Sequence, residues 1–143
     1  MEYSLYCFYL ICFFIVVLIY LYHNNSQHKI VIGRNGRQYH IRTNREGFTN
    51  VSDNDIINRL EEIDSRIIKL CDTLVAENYP DKERAKRTKI KWDNIIIKET
   101  YENEDSIAFV INKGDEMSIC LTNKETGNLE DINTTMFVVL HEV

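Results

Sequence analysis

Residues 52–80 read SDNDIINRLEEIDSRIIKLCDTLVAENYP, and this stretch decides the fold. Ile56, Leu60, Ile63, Ile67, Leu70 and Leu74 recur at alternating spacings of four and three, which lines one face of a helix. Ser52 is placed to cap the first turn, and Asp53 and Asp55 follow where the helix dipole favours carboxylates. Tyr79-Pro80 ends the pattern near Asn78, because proline cannot continue a helix. Three heptads is the lower limit for a coiled-coil seam, so the stripe is expected to pack onto the rest of a domain. The alternative is an adaptor that offers the stripe to a partner helix. That reading requires Ile63, Ile67 and Leu70 to face solvent.

Towards the N-terminus, Lys29–Gly33 and Arg37–Thr43 flank Arg34-Asn35-Gly36, and Asn-Gly between two strand-like runs predicts a hairpin. Its arginines are expected either to face anionic headgroups or to lie on a solvated face. Before it, residues 3–22 read YSLYCFYLICFFIVVLIYLY without a charge. As a helix this run rises about 30 Å, the thickness of a hydrocarbon core. Tyr3, Tyr6 and Tyr9 at one end and Tyr20 and Tyr22 at the other suit headgroup level. Glu2 stands where a signal peptide needs a basic residue, so a membrane-spanning anchor is the expectation. Lys29, Arg34, Arg37, Arg42 and Arg45 follow without an acid before residue 46. The positive-inside rule then places the C-terminal part on the cytoplasmic side.

Towards the C-terminus, residues 81–92 predict a short basic helix with no assigned binding role, and Ile95–Ile97 is a brief apolar run of uncertain state. Ile107–Ile111 and Met117–Thr122 read as strands, and Asn123–Asn128 as a turn. Asp131 or Asn133 caps a last helix from Ile132 to the end. The expected fold class is α+β, organised as an anchor at 3–22, a basic juxtamembrane hairpin and linker at 23–50, and a domain at 51–143. Cys71 and Cys120 sit at apolar positions without a metal-type spacing, so they read as reduced core thiols. The chain carries a net charge of −5, and all its acids but Glu2 follow residue 45. Such a domain repels polyanions, so nucleic acid is excluded as a partner.

The last helix carries the one chemical constellation. Met136, Phe137, Val139 and Leu140 lead directly into His141-Glu142-Val143. A zinc peptidase helix reads H-E-x-x-H, so that two imidazoles four residues apart share a face and the Glu serves the metal-bound water as general base. Zinc brings the pKa of that water down towards about 7. Here the first His and the Glu are present, and the second His would fall two residues beyond Val143. The helix ends without a glycine, a basic last turn or a polar tail, as though cut mid-helix.

The surrounding residues resemble the zincin-like zinc metallopeptidases of the WLM type encoded by large nucleocytoplasmic DNA viruses. The shared features are Asn112-Lys113-Gly114-Asp115-Glu116, Ile119-Cys120-Leu121, Leu129-Glu130-Asp131-Ile132-Asn133-Thr134 and Met136 to Val143, with Asp55–Leu74 upstream. The resemblance implies a membrane-tethered zincin-like domain built from hairpin, long helix, short strands and active-site helix. It also implies His141 as the first zinc ligand and Glu142 as the catalytic general base. Zinc is expected for the complete family member. The 143-residue chain lacks the second His and the third ligand, so none is expected to bind here. Two roles follow: a membrane-anchored virion component without catalysis, with the lipid bilayer and capsid or other virion proteins as partners in a virion inner membrane; or, if the chain continues through the second His, an active zinc-dependent peptidase.

Overall fold

Ser52 does cap the long helix. Its hydroxyl accepts from the Asp55 N–H at 3.2 Å, and the Asp55 carboxylate accepts from the Ser52 N–H at 2.9 Å, a reciprocal capping box. The computed structural model describes residues 2–25, 28–43, 50–77, 79–100, 108–111, 114–123 and 125–142. In chain order the elements are α1 (Glu2–Asn25), β1 (His28–Ile32), β2 (Gln38–Arg42), α2 (Asp53–Ala76), α3 (Lys82–Asn94), β3 (Ile96–Thr100), β4 (Ala108–Ile111), β5 (Glu116–Cys120) and α4 (Ile132–Glu142). The uncertain apolar run thus opens a strand at the middle of the sheet.

The five strands are ordered β1-β2-β3-β5-β4. β2, β3 and β5 run parallel, while β1 and β4 are antiparallel edges. Gly36 carries φ 79° in the β1–β2 turn, a left-handed conformation that glycine adopts without steric cost. The register aligns Tyr39 with Ile97 and Ile97 with Met117, so these side chains share one face of the sheet. α2 covers that face: Ile56, Leu60, Ile63 and Ile67 are buried in one cluster with Tyr39, Ile41, Trp92, Ile97, Met117, Ile119 and Val139. Each such aliphatic burial contributes about 1.5–3 kcal/mol. Ile63 and Ile67 are therefore core residues, which removes the adaptor reading for most of the stripe; Leu70 remains 40% exposed. Cys71 and Cys120 are buried and outside any disulfide.

The membrane expectation is corrected. Among the described residues, no helix is long and apolar enough to cross a membrane. The transmembrane part of the expected fold class, the anchor at 3–22, falls with this finding. So do the single-pass, cytoplasmic-side orientation and the virion inner membrane. The cationic flank that had set the orientation is engaged within the protein instead. Arg34 pairs with Glu61 at 2.9 Å, Arg37 pairs with Asp64, and Arg42 and Glu99 form a buried pair at 3.3 Å. These arginines are folding partners of acids far away in sequence, and neither headgroups nor a solvated face accounts for Arg37 and Arg42.

Candidate functional site

α4 starts at Asp131, whose carboxylate accepts the backbone N–H groups of Asn133 at 2.9 Å and Thr134 at 3.0 Å. The Thr134 N–H is the main reason that the Asp131 carboxyl is held below its usual value. Of the two candidate caps, Asp131 is the one used. Thr135 and Val139 are fully buried and seat the helix against β4, β5 and α2. Arg59 of α2 reinforces this corner by donating to the Glu130 carbonyl at 3.1 Å.

The spacing 135, 139, 142 follows the inward stripe of the helix, so Glu142 continues it and is half-buried. His141 lies on the outer face and is exposed. It shares that face with Phe137, 76% exposed, and Leu140, 43% exposed. The helix therefore presents an accessible imidazole beside a half-buried carboxylate.

A catalytic zinc takes three protein ligands and a water. Among the described residues, no group of three or more His, Cys, Asp or Glu side chains could hold a metal ion. His28 lies elsewhere, its Nε2 at 2.9 Å from the Glu99 carbonyl, and burial pushes its pKa down. His40 lies on β2. The side chain of His23 falls outside the described residues.

A second constellation, missed in the sequence, joins the hairpin to α2 and α3. The buried Asp64 carboxylate accepts from Trp92 Nε1 at 2.7 Å, Asn35 Nδ2 at 2.8 Å, Tyr39 Oη at 3.3 Å, and the Arg37 guanidinium. Arg37 also donates to the carbonyls of Trp92 and Ile95 and lies 5.4 Å from the Trp92 ring centroid. Burial, the largest influence, raises the Tyr39 hydroxyl from 10.0 to about 12. With its acceptor positions filled, Asp64 anchors structure. The signal was present: Asp64 is four residues after Leu60 and three before Ile67, a carboxylate on the apolar face. Beside it an open groove of about 840 Å3 runs along α2, lined by Arg34, Asn35, Glu61, Ser65 and Ile68 among others. It shares no residue with α4.

Comparison with known proteins adds one relative. The chain is 36% identical over 85 residues to the uncharacterized protein R325 of Acanthamoeba polyphaga mimivirus, a match covering 57% of this chain and 43% of that protein. The chain thus spans less than half the length of the relative it matches. No family model matches the chain, and no solved structure matches it.

Proposed function

We propose that this chain is a zincin-like scaffold of a large DNA virus, carrying the first-ligand and general-base positions of a metallopeptidase helix, His141 and Glu142, and hydrolysing nothing as the 143-residue chain. The reading is carried by one observation: α4 stays helical through Glu142 while its inward stripe holds the glutamate half-buried and its outer face offers the imidazole to solvent. The mimivirus relative supports the viral setting. With one imidazole available, the role of the isolated chain is to bind, with capsid or other virion proteins as its class of partner. The peptidase reading belongs to any longer product of the reading frame that supplies further ligands. The His141–Glu142 placement is the observation that favours it.

Metal analysis separates the two. The 143-residue chain, dialysed against zinc, is expected to retain well below one equivalent and to cleave no peptide; stoichiometric zinc overturns the claim of an incomplete site. In a longer product, Glu142→Gln should keep zinc and abolish hydrolysis, and His141→Ala should lose the metal. Undiminished hydrolysis by Glu142→Gln removes the proposed base.

A further inference from the structure

β1 is one edge of the sheet, and among the described residues it carries neither a bulge nor a proline to guard that edge. It pairs with β2 in unbroken register over all five residues, so no bulge twists it away. It contains no proline, and its ammonium-bearing residue, Lys29, turns to Asp53 of the same chain. Ile30 and Ile32 stand 62% and 67% exposed, on the sheet face opposite the one that α2 covers.

The ladder says which backbone groups this edge offers. The Gly33 N–H donates to the Arg37 carbonyl at 2.8 Å, which makes Val31–Tyr39 and Lys29–Ile41 the next hydrogen-bonded pairs. The N–H and C=O groups of His28, Ile30 and Ile32 therefore point away from β2. A second copy pairing antiparallel must match faces, which restricts the register to steps of two residues. Centring the pair on Lys29 opposes like charges directly. Centring it on Val31 carries His28 past the end of the other strand to Arg34. Centring it on Ile30 pairs all five residues of each strand, sets Lys29 against Val31 and Ile30 against itself, and uses every outward group, for about six backbone hydrogen bonds.

We propose that β1 is a self-association edge, at which two copies of this chain pair antiparallel about a two-fold axis at Ile30 and join their sheets into one. Two five-residue strands make a small interface of the reversible class. Sedimentation of the full chain should show mass rising from monomer to dimer with concentration. Ile30→Lys with Ile32→Lys should remain monomeric with an unchanged far-ultraviolet spectrum, since both side chains already face solvent. In a Cys7→Ser, Cys12→Ser background, Ile30→Cys should oxidise to a linked dimer, because the proposed register sets the two α-carbons about 5.5 Å apart, within disulfide reach. Ile32→Cys should not, its two copies lying about 14 Å apart. A monomer at every concentration overturns the proposal, as does a chain whose edge pairs only with an added peptide copying residues 28–32. A dimer that survives the lysine pair overturns it too, by locating the contact on another surface. So does cross-linking at position 32 in place of position 30.

Discussion

Asp64 shows how one residue can tie three elements together. It is 3% exposed and is met by a guanidinium, an indole, an amide and a phenol. Removing the carboxylate leaves the Arg37 charge facing a buried site without its counterion, and breaking such a pair is costly. Asp64→Ala is expected to lower unfolding free energy by about 3 kcal/mol or more, read from urea midpoints. Tyr39 belongs to the same cluster. Its folded-state pKa of about 12 lies above the ordinary 10.0, so the protein favours the protonated phenol. That contribution is fully present below about pH 10 and is lost as pH rises towards 12. Denaturation at pH 9 and pH 11.5 should show a larger loss for the wild type than for Tyr39→Phe, which starts about 1 kcal/mol less stable for want of a hydrogen bond.

Among the elements, α2 was the most legible. Its period, its capping box and its proline stop are local features, and local features are written in neighbouring residues. What the stripe touches is not local. Leu60 is fully buried whereas Leu70, on the same stripe, is 40% exposed. Leu60→Ala should cost about 3 kcal/mol, and Leu70→Ala should stay within about 0.5 kcal/mol, in the same urea assay. α4 was equally legible as a helix with a cap. Its inward and outward faces were not, because the direction of a helix face depends on which strand it lies against. The division of Glu142 inward and His141 outward came from Thr135 and Val139 meeting the sheet.

For the whole molecule, the mixed sheet sets what is reachable. Parallel β2, β3 and β5 between two antiparallel edges require long crossovers, and the α2–α3 segment supplies the one between β2 and β3. The same order leaves β1 outermost, which is why concentration-dependent mass is the property expected to expose a β1 contact. Charge was misread at this scale. A positive flank beside an apolar run implied a cytoplasmic-side orientation, but its arginines found Glu61, Asp64 and Glu99 within the fold. Residue order alone determined that α2, α3, α4 and the hairpin form, to within a few residues at their ends, which thiols are buried, and that His141 and Glu142 sit on a helix, because propensity, capping and periodicity act over a few residues. Strand order, the burial of Arg37, Arg42 and Asp64, the exposed edge at β1 and the facing of the His–Glu pair were decided only by tertiary structure. Each depends on which segments, distant along the chain, come within hydrogen-bonding or packing distance.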